Sequence, residues 1–127
     1  MVDKQLSILV VEDNTTMRRI VCNLLAQLGF KNVTQAIDGG DAMNKLKEKK
    51  ADFIISDWHM EPVTGLDLLK QVRASADWKN IPFLMVTAES KPENIMAAKQ
   101  HGVSNYIIKP FSADTLKAKM ASILGAF

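Results

Sequence analysis

Cysteine, net charge and long apolar runs are all scarce in this chain, and each shortage closes off a class of function. A lone cysteine, Cys22, excludes an internal disulfide framework and a multi-cysteine metal site; it fits a reducing compartment. A formal net charge of +2 gives no basic stripe of the kind that grips nucleic acid or a membrane surface. The EKK run at Glu48–Lys50 reads as a solvated helix end. No stretch reaches the ~20 apolar residues of a membrane helix. The opening MVDKQLSILVVED meets charge too soon for a secretory signal. Internal repeats, linkers and low-complexity segments are missing too. The expectation is a soluble, cytoplasmic monomer with neither nucleic acid nor membrane as partner.

What remains is ordinary globular material, 47% hydrophobic and 24% charged. With 127 residues the chain suits one domain, able to bury roughly 65–70% of its unfolded surface. Five short apolar runs stand out: Leu6–Val11, Val33–Ile37, Phe53–Ile55, Phe83–Val86 and Val103–Ile108. Between them lie segments with helical spacing. Met17, Ile20, Val21, Leu24, Leu25 and Leu28 align on one face of the first, with Cys22 off that stripe and Gly29 as the stop. The second runs from about Gly40 to Lys47, with Ala42, Met43 and Leu46 inward, and the third follows Gly65 with Leu66, Leu69 and Val72. Ser90 and Glu93 read as a capping box for the fourth, with Pro92 in its first turn. His101 suits the negative end of that helix and Gly102 its stop, so His101 reads as structural. The fifth starts near Ser112 and aligns Leu116, Met120, Ile123 and Leu124.

Strand and helix thus alternate five times, the pattern of an α/β, doubly wound parallel sheet covered by helices on both faces. Ile8–Val11 (ILVV) is apolar at every position, as a strand covered on both faces requires. The second run, VTQAI, is more polar and reads as an edge strand, which favours the flavodoxin-like order 2-1-3-4-5.

The chemistry gathers just past the strands. Glu12 and Asp13 follow the first, Asp57 ends the third, Thr87 the fourth and Lys109 the fifth. Sites in open parallel sheets form beyond the carboxyl ends of the strands, so one geometry brings all five together. Taken singly, Asp13 could cap the first helix, Thr87 could be a plain strand end and Lys109 a surface lysine. Jointly, chance would have to fill four strand ends with complementary groups. Converging carboxylates repel unless a cation or proton intervenes. Hard oxygen ligands without cysteine suit Mg2+, which keeps waters that phosphoryl oxygens can replace. Metal and Lys109 would neutralise a transferring phosphoryl group, Thr87 could donate to it, and a carboxylate held in line would be the nucleophile.

Through VVEDNTTMRRIV, ISDWHM with Gly65, LMVTAE and YIIKPF, the chain resembles the receiver domains of bacterial response regulators over essentially its whole length. TMRRIV, SDW, MVTAES and NYIIKPF bring it nearest to the family's stand-alone chemotaxis regulators. The order 2-1-3-4-5 is already familiar for those regulators, so it is no independent test of the resemblance. The resemblance implies a single receiver domain over residues 1–127, a signalling switch that catalyses only its own phosphoryl transfer and slow autodephosphorylation. It implies that Asp57 accepts a phosphoryl group from a histidine kinase. It further implies that Asp13, Asp57 and the backbone carbonyl of His59 bind Mg2+, with Glu12 on metal-bound water. Thr87 and Lys109 would contact phosphoryl oxygens, Tyr106 would swing inward as Thr87 moves, and Lys109–Pro110 would be cis. Tyr106 also has a plain reading as a half-buried strand residue. The implied partners are a flagellar motor switch protein and a phosphatase.

Two departures from the family pattern fall beside the site. Position 59 is His where the chemotaxis members typically carry Asn, and Met60 is separated from Pro62 by Glu61. The His59 imidazole either sits at the mouth of the site and alters water access or is a solvated loop side chain. Glu12 in place of Asp keeps the charge.

A complete switch from 1:99 to 99:1 takes about 5.5 kcal/mol, and one hydrogen bond from Thr87 supplies about 0.5–1.5. The Lys109 charge, the metal and Tyr106 repacking must supply the rest, or the switch is partial. Phe127 follows the fifth helix directly, so the expected output is contact with another protein rather than DNA. The expected face combines helix four, strand five and helix five, with Lys91, Ile95, Lys99, Tyr106 and Lys119. Rival readings are a phosphorelay intermediate, a regulator of another pathway, an aspartyl-phosphate phosphohydrolase or a flavodoxin-like electron carrier. The hydrolase would place an acid where His59 stands. The electron carrier would need a phosphate loop where VVEDN stands.

Overall fold

Strands that are apolar at consecutive positions need cover on both sides, and a computed structural model, describing residues 3–88 and 91–125, provides it. The elements alternate as β1 (Ile8–Val11), α1 (Thr15–Gln27), β2 (Val33–Ala36), α2 (Gly39–Glu48), β3 (Phe53–Ser56), α3 (Gly65–Ala74), β4 (Phe83–Thr87), α4 (Pro92–Gln100), β5 (Asn105–Ile108) and α5 (Ala113–Leu124). The strands form one parallel sheet in the order β2-β1-β3-β4-β5. This is the expected α/β architecture, with the polar second strand at an edge.

Residue parity divides the interior into two cores. Leu9, Val11, Ile54, Phe83, Met85 and Tyr106 pack with Ala42, Leu46, Leu68, Leu69, Val72 and Ala98, which puts α2, α3 and α4 on one face. Ile8, Val10, Phe53, Ile55, Leu84, Val86 and Ile107 pack with Val21, Leu25, Leu116 and Met120, which puts α1 and α5 on the other. Burying one such Leu, Ile or Phe side chain is worth roughly 1.5–3 kcal/mol.

Several details correct the sequence reading. Ile20 lies 43% exposed and outside the buried stripe of α1. Cys22, expected off the stripe, is half-buried against the core, and burial raises its thiol pKa. The second and fifth strands are shorter than their apolar runs: Ile37 lies beyond β2 and is 54% exposed, and Val103 and Ser104 precede β5. The cap of α1 is Asn14, whose Oδ1 accepts from the Met17 amide at 2.9 Å, so Asp13 is not spent on capping. Ser90 lies outside the described residues, and the residue at the N-cap position of α4 is Lys91. Gly29 and Gly102 end their helices at φ +96° and +87°, backbone that L side chains rarely adopt.

Candidate functional site

Parallel register carries the acidic residues to one end of the sheet. Val11 of β1 lies opposite Ser56 of β3, so Glu12 and Asp57 emerge side by side. The Asp57 amide donates to the Val11 carbonyl at 3.0 Å and the Glu12 amide to the Ala36 carbonyl at 3.1 Å, which extends the ladder one residue into the site. Thr87 ends β4 opposite Ile108 of β5, and the Lys109 amide donates to the Thr87 carbonyl at 2.8 Å. Four strands therefore deliver their terminal side chains to a common edge.

Lys109 crosses that edge. Its Nζ lies 2.7 Å from Glu12 Oε1 and 3.3 Å from Asp57 Oδ1. Carboxylate oxygens of Glu12, Asp13 and Asp57 all come within 4.8 Å of one another. Glu12 and Asp57 are buried, whereas Asp13 is exposed at the opening. Burial raises the Glu12 pKa to about 7, with the Asp57 charge adding to it, although Lys109 pulls the other way. Burial alone would lower the Lys109 pKa. Its bond to Glu12 and the charges of both carboxylates outweigh that, and the net shift is upward. Among the described residues, the Lys109 ammonium pairs with two of the three clustered carboxylates, and negative charge remains. Clustered hard oxygen donors with surplus negative charge match the donor set that Mg2+ prefers.

Gly65 explains how α3 approaches so closely. A Cβ there would overlap the Asp57 carbonyl oxygen and lie 2.8 Å from Trp58 Cα. The Gly65 and Met60 amides both donate to the Trp58 carbonyl, at 2.9 and 3.1 Å. A capping box between Thr64 and Asp67 then starts the helix. Glu61 and Pro62 lie between these fixed points. Lys109–Pro110 is cis, as the resemblance implied; Glu61–Pro62 is also cis, which the sequence reading did not anticipate. His59 is exposed beside a groove of ≈ 400 Å³ that Asp13, Trp58, Met60, Glu61 and Thr64 also line.

The other expected residues divide by burial. Thr87 is fully buried and Tyr106 is 8% exposed, packed in the core on the α4 side. Tyr106 is therefore already inward, and any part it has in a partner surface acts from beneath. Lys91 and Lys99 are exposed, and Ile95 and Lys119 are half-buried. Sequence reasoning missed Met96, 58% exposed on α4 beside Pro92, Ile95 and Lys99. It also missed Arg18, which donates to the Glu12 carbonyl at 2.9 Å and to Gln35 Oε1 at 3.0 Å. No local pattern distinguishes that arginine from Arg19; only the adjacency of α1 and β2 does.

Comparison with known proteins agrees with this geometry. Residues 8–121 match the response regulator receiver domain. Chemotaxis protein CheY-3 of Vibrio cholerae is 50% identical over 121 residues, covering 95% of this chain and 93% of that protein. The structure of V. cholerae chemotaxis protein CheY4 superposes with a TM-score of 0.87 at 33% identity, covering 94% of this chain and 99% of that one. The receiver domain of a sensor histidine kinase from Pseudomonas aeruginosa PAO1 gives a TM-score of 0.85 at 25% identity, covering 96% and 99%. That structure has a magnesium ion coordinated in its active site cleft. The chain belongs to the family of response regulator receiver domains.

Proposed function

We propose that residues 1–127 act as one receiver domain, a phosphorylation-activated switch in a two-component system. Asp57 takes a phosphoryl group from a histidine kinase, and the output is contact with a flagellar motor switch protein in chemotaxis. The observation that carries this reading is the meeting of Lys109 Nζ with Asp57 Oδ1 at 3.3 Å inside the Glu12–Asp13–Asp57 cluster.

In the transfer, an Asp57 carboxylate oxygen attacks phosphorus, a P–O bond forms and the P–N bond of the phosphohistidine breaks. The departing imidazole takes its proton from solvent. Lys109 supplies fixed positive charge where the phosphoryl oxygens gather, and Thr87 supplies a hydroxyl donor. Glu12, Asp13, Asp57 and the His59 carbonyl are the groups that would hold Mg2+. Bound there, it would offset charge on the carboxylates and the phosphoryl oxygens. The acyl phosphate is the signal, so the protein works as a switch rather than a turnover enzyme. Its own slow hydrolysis, or a partner phosphatase, ends the signal.

The reading also places the protein in the cytoplasm as a monomer. Among the described residues, no helix is long and apolar enough to cross a membrane. Lys91, Ile95, Lys99 and Lys119, over the buried Tyr106, form the proposed output face. The 50% identity with a chemotaxis protein supports the motor as target.

Acetyl phosphate with Mg2+ should add one phosphoryl group, read by intact mass and mapped to Asp57, with a change in Trp58 emission. Asp57→Asn should remove both. Phosphoryl incorporation at another residue, or none in a folded wild type, would overturn the assignment.

A further inference from the structure

The carboxyl end of α4 is held by a side chain that the phosphoryl site does not use. Arg73, in the last turn of α3, donates from Nε to the Gly102 carbonyl at 2.9 Å. Its Nη1 donates to the Lys79 carbonyl at 3.0 Å and to the Ile81 carbonyl at 2.6 Å. One planar guanidinium thus ties the turn after α4 to the segment leading into β4. The chain around it is closed as well. The Phe83 amide donates to Ser104 Oγ and the Ser104 amide to the Phe83 carbonyl, at 2.9 and 2.8 Å. Gly102, at φ +87°, leaves room for the guanidinium, since a Cβ there would lie 3.2 Å from Arg73 Nε.

Ala98, in its second half, is the buried residue of α4, while Pro92, Glu93 and Met96 are exposed, as are Lys99 and Gln100 at its carboxyl end. The amino end is also the end that follows Thr87 in the chain.

We propose that Arg73 is a positioning residue that pins the carboxyl end of α4, so that this helix answers a change at Thr87 by pivoting from its amino end. This rests on the proposed function for the source of that change, though the pin itself does not. Arginine suits the task because its fork reaches separate carbonyls at fixed angles while remaining charged. Lysine gathers its donors on one nitrogen, whereas Arg73 reaches its acceptors from two, Nε and Nη1.

Hydrogen exchange on the full chain tests the pin. In Arg73→Met, and in Arg73→Lys, the amides of His101, Gly102 and Val103 should exchange about tenfold faster, the loss expected for a hydrogen bond to a charged group. Amides of β1 and β3 should keep their wild-type rates. Unchanged rates at 101–103, or an acceleration shared equally by β1 and β3, would overturn the proposal. With acetyl phosphate and Mg2+, wild-type changes should stay in the amino half of α4, whereas in Arg73→Met they should reach residues 97–103. Changes along all of α4 in the wild type would also overturn it. A wild type silent to the phosphodonor would instead remove the proposed function, and the first comparison would still decide the pin.

Discussion

Replacing Glu12 by glutamine should change how stability depends on pH when divalent cations are chelated. Glu12 is 3% exposed, with Asp57 beside it and Lys109 bridging the two carboxylates. Its pKa rises from an ordinary 4.5 to about 7, burial being the main cause. A folded-state value above the unfolded one means that the native protein holds more protons between those two pH values. Stability is therefore fully present below pH 4.5 and is lost as pH rises toward about 7, after which the loss is complete. At ~1.4 kcal/mol per pKa unit the full loss comes to roughly 3–4 kcal/mol. Glutamine keeps the shape and cannot ionise, so Glu12→Gln should lack this component. Urea unfolding in EDTA at steps from pH 5 to 8 gives the comparison. The stability of wild type minus that of Glu12→Gln should fall by about 2–3 kcal/mol across the series. Saturating Mg2+ should flatten the wild-type curve, since a cation favours ionised carboxylates and so stabilises the native state most where Glu12 has lost its proton. Parallel curves for the two proteins in EDTA would refute the claim that burial of Glu12 opposes its charge.

Two further outcomes follow from packing. Gly65→Ala forces a methyl group onto the backbone of Asp57 and Trp58, atoms that cannot rotate away. It should cost about 1–3 kcal/mol in urea unfolding and slow phosphorylation of Asp57; normal stability together with a normal rate would contradict the close approach. Met96→Asp alters a side chain that is 58% exposed, so stability should change by no more than ~0.5 kcal/mol. Affinity for a motor-switch peptide, measured by fluorescence titration, should fall about tenfold if α4 carries the output; unchanged affinity would move the output face elsewhere.

Much of the fold was legible because burial on both faces leaves a distinctive mark. ILVV, FIIS and FLMVT are apolar through nearly every position and could hardly be surface strands. The site residues were legible because a parallel sheet delivers its strand ends to one edge, whatever the loops do. Helix faces were read less well. Ile20 fits the 3.6-residue period yet is 43% exposed, because it stands at the margin of a stripe whose buried residues are Val21 and Leu25. Asp13 and Asn14 are both good capping residues, and the backbone turn chose Asn14, which leaves Asp13 for the acidic cluster. Tyr106 had two readings, a switch residue by resemblance and a half-buried strand residue, and packing on the α4 side put its ring inside.

By itself, the sequence determined the alternation of strands and helices and which chemical groups stand at the strand ends. Local spacing and burial preference encode both. Tertiary structure alone decided that Lys109 touches Glu12 and Asp57 across 97 and 52 positions, and that Asp13 joins them in one cluster. It alone decided that Arg73 joins two connections 29 and 8 residues away. Such contacts depend on which strands become neighbours and in what register, and neither is written in any short stretch of chain.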